Sequence, residues 1–495
     1  MNRPIALREL PLSIKGEARP LQIAICDALR SAMQQGRLRP GARLPSSRDL
    51  ARQLQVARGT VVLAYEQLRA EGYLQGARGA GTTVVESLPD RWFRPSQNPP
   101  AAIKPSREVV LSKRGERLSS SPFPLERLPA PRPFRPHTPA VDAFPMELWG
   151  RLLARHARDT RPDRLREWDA RGYLPLREAI TEHLRVYRGV ACNPDQVVIG
   201  GGTQQLLDLL ARLLLDEGDV VWMEDPGHFG ARGVLGGAGA RLVPVPVDGA
   251  GIDVKAGIAQ APDARMAYVT PARQSPMGAT LSLERRLELL DWASQHDAWV
   301  FEDDYDSEFR YDGRPLPALQ SLDRHGVVLY TSTFTKTMFP GIRLACAVLP
   351  EGLVDPFAAA LSLVTRHLPL LPQIALAEFI SEGHLGRHLR RMRMFYAERR
   401  EALLGALKSE LEDQLEIVGS SAGLEVVARL PTGVNDRAVT KIALERDLEM
   451  IPLSRYTLRP LQRGGLVLGF AAVSAARSRR AVPTLRWVIE QVHRG

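Results

Sequence analysis

The spacing of apolar positions divides the chain into three parts. Between residues 20 and 36, Leu21, Ile25, Ala28, Leu29 and Met33 recur at helical spacing, and Gly36 closes the run. The turn-rich stretch RLRPGARLPSS follows, and Ser46 or Ser47 can cap a second helix over SSRDLARQL. A third helix is predicted from about Arg58 to Gly72. YLQGARGAGTTVVE then reads as two short strands around a Gly-rich tip. Three helices and a hairpin in this order predict a winged helix-turn-helix, mainly α, over residues 15–88.

Residues 89–139 carry no sustained period, and 12 of these 51 residues are proline. Proline fixes φ and removes a donor, so the segment reads as an extended linker, too long for a loop inside one compact domain. From residue 140 to 495 short apolar runs alternate with helical ones. VVIGG (197–201), VVWMED (220–225), ARLVPVPV (240–247), RMAYVT (265–270), AWVFEDD (298–304) and VVLYTST (327–333) are predicted strands. Amphipathic stretches such as TQQLLDLLARLLL lie between them, which implies an α/β body with a mainly parallel sheet covered on both faces. After a helix beginning near residue 390, the chain ends in a smaller α+β region.

Charge sharpens this division. The chain's net charge is +10, but residues 140–495 carry 43 Lys/Arg against 45 Asp/Glu. Residues 1–88 carry 13 against 7, and residues 89–139 carry 10 against 4. A basic head and linker on a near-neutral body fit a polyanion-binding module joined to a separate globular domain. Cys26, Cys192 and Cys346 are scattered without CxxC spacing, so neither a disulfide framework nor a metal site is expected. No apolar run reaches the roughly 18 residues of a membrane span, and MNRPIALRELPLSIKG lacks a signal-peptide core. The cytoplasm is the expected location, with no membrane partner.

A helix-turn-helix presents the start of its second helix to the bases. Here that end holds Arg58 and Thr60; an arginine can bridge guanine O6 and N7. Arg48 near the start of the preceding helix suits a phosphate, and Arg78 and Gly79 lie at the wing tip. The stretches GRLRPGARLPSSRDLA, VARGTVVLAYEQLRAEGYL and GAGT resemble the GntR family of bacterial regulators over residues 15–86. That resemblance implies an effector-responsive homodimer on double-stranded DNA, contacting it through Arg48, Arg58, Thr60 and the wing glycines. The family's usual serine before the recognition arginine is Ala57 here.

The body offers the groups that pyridoxal 5'-phosphate (PLP) chemistry needs. A lysine must form a Schiff base, a carboxylate must face the pyridine nitrogen, and the phosphate needs a helix N-terminus and a cation. Lys336 follows a predicted strand and is one of 7 lysines against 59 arginines. Asp303 ends another strand and Tyr305 follows it; Gly201-Gly202-Thr203-Gln204 opens a helix; Arg343 lies seven residues after Lys336. Each alone has a plain reading: strand–helix punctuation for GGT, a metal site or solvated loop end for FEDDYD, a snorkelling lysine for Lys336. Their order on an α/β pattern favours the cofactor.

RGVACNPDQVVIGGGTQQ, EDPGHFGAR, FEDDYDSEFRY, YTSTFTKTMFPGIRL and LVLGFA resemble fold-type I aminotransferases from Trp149 to about Leu485, and specifically the MocR subfamily of GntR regulators. The resemblance implies a PLP-dependent regulator that senses an amine-bearing effector, or PLP itself, through a Schiff base on Lys336. It gives Asp303 the pyridine nitrogen and Tyr305 the ring hydroxyl. Thr203, Gln204, Thr333, Thr335 and Arg343 are its phosphate candidates. Relatives exchange heads across a dimer, and a 51-residue linker spans about 40 Å even as flexible coil.

Departures lie on the substrate side. His228 replaces the usual tyrosine of EDPGY, and TPARQSPMG carries Arg273 and Ser275 where the family has histidine and an aromatic. A lone His228 reads as a ring-packing residue rather than an acid–base catalyst. Val467 stands near the place of the arginine that binds a substrate carboxylate in aminotransferases. Arg455 and Arg232 are the substitutes for an effector carboxylate, unless each is a structural ion pair. The alternative, an aminotransferase with an appended DNA-binding domain, wants that missing arginine; sensing with at most weak transamination is the expectation.

Overall fold

In the computed structural model the described residues are 20–77, 81–86, 109–120, 122–123, 130–159, 166, 169–313, 316–419 and 421–494. They fall into two compact units, within residues 1–109 and 110–495.

In the first unit α1 (Leu21–Gln34), α2 (Ser47–Leu54) and α3 (Arg58–Ala70) precede an antiparallel hairpin of β1 (Leu74–Ala77) and β2 (Gly81–Val84). Their apolar stripes meet in one small core of Ile25, Leu29, Leu50, Val61, Leu68 and Val84. Ser46, rather than Ser47, caps α2, accepting the Asp49 N–H at 3.2 Å. Ala57 begins α3 with no side-chain cap.

The second unit opens with α4 (Lys113–Ser119), α5 (Met146–Asp159) and α6 (Leu174–Arg188). Then come β3 (Val197–Gly200), α7 (Thr203–Leu214), β4 (Val220–Asp225), α8 (Phe229–Ala238), β5 (Arg241–Asp248), β6 (Gly251–Ile252) and α9 (Val254–Gln260). The alternation continues through β7 (Met266–Val269), α10 (Leu283–Gln295), β8 (Trp299–Asp304), β9 (Val328–Thr333), α11 (Phe334–Thr337) and β10 (Ala345–Val348). Helices α12 (Glu351–Thr365), α13 (Leu370–Ser381) and α14 (His384–Leu411) lead to the smaller region. It contains β11 (Glu416–Val418), β12 (Glu425–Arg429), α15 (Asp436–Glu445), β13 (Ile451–Pro452), β14 (Gly465–Gly469) and α16 (Ala475–Arg494).

The main sheet runs β3-β10-β9-β8-β7-β4-β5-β6. Strands β9, β8, β7, β4 and β5 are parallel, and β10 is antiparallel to both its neighbours. Every residue of β3, β7 and β9 is buried, as a sheet covered on both faces requires. Alternate residues of β4 go to opposite faces: Val221 and Met223 pack with Leu206 of α7 and Leu235 of α8. Trp222 packs instead with Val254 of α9 and Trp292 of α10. The smaller region is an antiparallel sheet, β11-β12-β14-β13. This is the fold-type I aminotransferase architecture behind a winged helix-turn-helix that the sequence predicts. No described helix is long and apolar enough to cross a membrane.

The linker is shorter than its composition suggests. Residues 89–108 lie outside the described residues, but the second unit starts at Val110 and α4 lies inside the expected linker. Phe134 is fully buried and bridges to Gly469, and Arg135 pairs with Glu449 at 2.5 Å. Extended proline-rich backbone makes few hydrogen bonds of its own, so it lies along an existing strand end. Gly469 admits it; a Cβ there would sit 2.0 Å from the Arg135 carbonyl.

Candidate functional site

A cavity opens where the C-terminal ends of the parallel strands meet α7, α8 and α11. That end of an open α/β sheet is where ligands gather, because the loops diverge there and helix N-termini point in. Its walls include Lys336, Asp303, Tyr305, Thr203, Gln204, Thr333, Thr335 and Arg343. All eight residues expected around a cofactor therefore share one cavity.

Lys336 sits in the single turn of α11, which Thr333 caps by accepting the Thr335 N–H at 3.2 Å. It is the one lysine among the described residues that is not solvent-exposed. Its Nζ donates to the His137 carbonyl at 2.5 Å. Burial pushes its pKa down, against the opposing pull of Glu425, Asp306 and Asp303. A lowered amine pKa favours the neutral, nucleophilic form.

Asp303 accepts from the Tyr268 hydroxyl at 2.6 Å through Oδ2, while its buried Oδ1 has no partner. Burial raises its pKa to about 6, opposed by the Tyr268 hydrogen bond and by Lys336. Thr203 Oγ1 and Gln204 Oε1 are likewise buried and unpartnered. Gly202 caps α7 at φ +136 and ψ 158, a conformation open essentially to glycine, and offers no side-chain cap. A Cβ there would lie 2.8 Å from Arg343 Nη2, so the bare backbone admits the guanidinium beside the α7 N-terminus. Arg343 itself takes a left-handed φ of +48 to reach it. A helix N-terminus, the Thr203 hydroxyl, the Gln204 amide and a cation together make a cradle that suits a phosphate. The unpartnered carboxylate oxygen matches a pyridinium N–H, so these residues fit PLP.

Arg273 belongs to the frame rather than the cavity wall. Its guanidinium donates to the Tyr305 hydroxyl at 2.6 Å and to the carbonyls of Ala422 and Glu425 at 2.9 and 2.8 Å. It also pairs with Asp306 and Glu425 at 3.3 and 3.4 Å, all three side chains being buried. Ser275, by contrast, lines the cavity. His228 lines it too, accepting from Gln204 at 3.3 Å. Burial, with His137 and Lys336 nearby, pushes the His228 pKa down to about 3. Such an imidazole stays neutral, which supports a packing role beside Phe229.

The two substitute arginines part company. Neither lines the cavity; Arg232 donates to the carbonyls of Thr457 and Arg455 at 2.8 and 2.9 Å. It is a brace for the 455–457 turn. Arg455 lies with its guanidinium 4.7 Å from the centre of the cavity-lining Phe229 ring and donates to the Pro122 carbonyl. Val467 is fully buried in β14 opposite Val427.

His137, Glu425, Tyr456 and Phe123 escaped the sequence reading. His137 Nε2 meets the Tyr456 hydroxyl at 2.6 Å, and its Nδ1 lies 3.2 Å from Glu425. His137, Arg273 and Lys336 together keep the Glu425 carboxyl far below its ordinary range despite burial. His137 and Phe123 sat unseen in an aperiodic stretch. Glu425 did leave one signal, a lone charge inside the apolar run LEVVA. In the head, Arg48 and Arg58 are exposed at the starts of α2 and α3, and Thr60 is partly exposed. Arg78 and Gly79 lie outside the described residues.

Comparison with known proteins agrees with both units. Residues 151–485 match the family "Aminotransferase class I and II", and residues 21–84 match "Bacterial regulatory proteins, gntR family". The chain is 40% identical to the probable rhizopine catabolism regulatory protein MocR of Rhizobium meliloti, over 94% of this chain and 93% of that one. It is 31% identical to the pyridoxine biosynthesis transcriptional regulator PdxR of Corynebacterium glutamicum, over 98% of each. Among solved structures, the LysN α-aminoadipate aminotransferase of Thermus thermophilus, complexed with N-(5'-phosphopyridoxyl)-L-leucine, is 28% identical. It matches with a TM-score of 0.67 over 73% of this chain and 92% of that one. The kynurenine aminotransferase of Pyrococcus horikoshii, in complex with PMP, is 25% identical and matches with a TM-score of 0.68 over 72% and 90%. The chain thus belongs to the MocR-type GntR regulators, DNA-binding proteins in which a gntR head is joined to a PLP-dependent aminotransferase domain.

Proposed function

We propose that Lys336 is the amine through which this regulator holds PLP and reads an amine-bearing effector or PLP itself, and that a homodimer presents two heads to its operator. The observation that carries this reading is the buried, unpartnered Asp303 Oδ1 in one cavity with Lys336, while Val467 fills the place of a substrate-binding arginine. When bound, the cofactor supplies an aldehyde that condenses with amines and a ring that withdraws electrons. The chain does the rest. Asp303 holds the ring-nitrogen proton, and Tyr305, fixed by Arg273, takes the ring hydroxyl. Thr203, Gln204, Thr333, Thr335 and Arg343 take the phosphate with the α7 N-terminus. Arg455 offers a cation for an effector anion, and Arg232 holds it in place. An effector shifts the regulator only by binding one conformation better than another. Working as an aminotransferase would want a strong carboxylate clamp, and the best available cation already donates to the chain's own carbonyl.

Two variants test separate halves of this reading. Arg58→Ala is expected to weaken binding to its promoter DNA about tenfold to a hundredfold at fixed salt, since a bidentate base contact is worth about 1–3 kcal/mol. Its cofactor absorbance should stay unchanged. An unaltered DNA affinity by fluorescence anisotropy would remove Arg58 from the interface. Gly202→Ala is expected to raise the PLP dissociation constant about tenfold or more, because it forces a side chain into a strained region, at about 1–3 kcal/mol, and against Arg343. Titration of the visible band with PLP measures it, and a midpoint like wild type would exclude the cradle.

A further inference from the structure

Part of the expected linker packs beside the cofactor cavity: Phe123 lines it and α4 lies against α8. α4 packs along α8, whose glycines Gly230, Gly233 and Gly237 fall on one helical face. Glycine inside a helix is unfavourable by about 1 kcal/mol against alanine, so three on one face call for a close neighbour. The neighbour is the chain itself. A Cβ on Gly237 would stand 2.7 Å from Leu118, one on Gly233 3.3 Å from Pro122, and one on Gly230 2.6 Å from Phe123. Phe123 reaches the cavity wall and leans on Phe229 with ring centres 5.8 Å apart. The Pro122 carbonyl accepts from Arg455. Arg117 ties the segment to Glu217 at 3.1 Å.

Each of these holds is weak. Leu118 is 48% exposed and Phe123 41% exposed, and the Arg117 pair is at the surface. Exposed ion pairs contribute little, and half-buried apolar groups give only part of their transfer energy. A neutral carbonyl is also a poorer partner for a guanidinium than a carboxylate is.

We infer that α4, Ser120, Pro122 and Phe123 form a built-in strap beside Arg455 as the effector's anion subsite, and that an amine effector bearing a carboxylate displaces the Pro122 carbonyl from Arg455 and lifts the strap. The inference rests on the reading of Lys336 as the effector's amine site. The strap joins the head through residues 89–112, so its release is a direct route from the occupied cavity to the linker. It also selects effectors, because an amine without an anion leaves the strap in place.

The test uses the full-length, PLP-loaded protein with two probes of matched skeleton, L-alanine and isopropylamine. Amide hydrogen exchange across residues 113–123 is followed together with the cofactor's visible band. L-Alanine is expected to raise exchange in the strap several-fold, and isopropylamine to leave it as it was while still shifting the band. Leu118→Asp, which loosens the strap away from the cavity, should tighten L-alanine about threefold to tenfold by freeing the competent state, with no change for isopropylamine. Arg455→Ala should raise strap exchange with no probe present. A band shift with L-alanine but no change in strap exchange overturns the strap alone. No band shift with either probe overturns the Lys336 reading, and the strap with it.

Discussion

Lys336→Ala is expected to abolish the visible absorbance of the purified regulator and its response to any amine, while the head still binds promoter DNA. The grounds are local. No other described lysine is shielded from solvent, so none can stand in for it. The cavity lowers its amine pKa by burial, and Glu425, Asp306 and Asp303 each pull the other way without lining up as salt-bridge partners. The Thr333 cap fixes the single turn that carries it. With PLP supplied in excess the phosphate cradle remains, so residual non-covalent binding should show as the free-aldehyde spectrum, easily removed by dialysis. A fall in PLP affinity of at least about a hundredfold is the expected scale, since the covalent bond to the chain is lost. A retained band in Lys336→Ala would locate the cofactor on another amine. Retained effector control of DNA binding would break the link between this cavity and the head.

Much of this was legible in the chain. Buried parallel strands announce themselves as continuous apolar runs, and β3, β4, β5, β7, β8 and β9 begin and end within about one residue of the six expected runs, whereas β6, β10 and the strands of the smaller region lie outside those six. The residues expected at the cofactor lie at strand ends and helix starts, positions that periodicity marks, so Asp303, Thr203 and Lys336 stand out in the sequence and line one cavity. Residues acting through tertiary contact were harder. Nothing local distinguishes Arg232, spent on two carbonyls, from Arg455, which lies against the cavity-lining Phe229 ring. Proline-rich segments carry no period whether they float or pack, so Phe134 and His137 read as linker in the sequence although one is core and the other cavity wall.

Arg273 shows why a departure from a family pattern need not touch the ligand. Arg273→Met is expected to destabilise the body by about 3–5 kcal/mol, the range for removing one partner of a buried ion pair. It leaves Asp306 and Glu425 buried without their shared cation, and removes one of the hydrogen bonds to the Tyr305 hydroxyl. The loss should depend on pH with a definite sign. Asp306 has its pKa raised by burial to about 7, from an ordinary 3.8, with Arg273 opposing the rise. Its protonated form therefore favours the fold, and that contribution fades as pH climbs through 7. Without Arg273 the folded value moves higher still, so the variant keeps losing stability above pH 7 where wild type has levelled. Glu425 works in the same direction from the acid side. Its depressed pKa stabilises the fold above its unfolded value, and part of that depression comes from Arg273. The gap between the two proteins should widen from pH 6 to pH 8.5 in urea melts and narrow again on acidification. A gap that is constant with pH would mean that Arg273 contributes packing and backbone hydrogen bonds but no charge balance, and Tyr305 would then have to be held by something else.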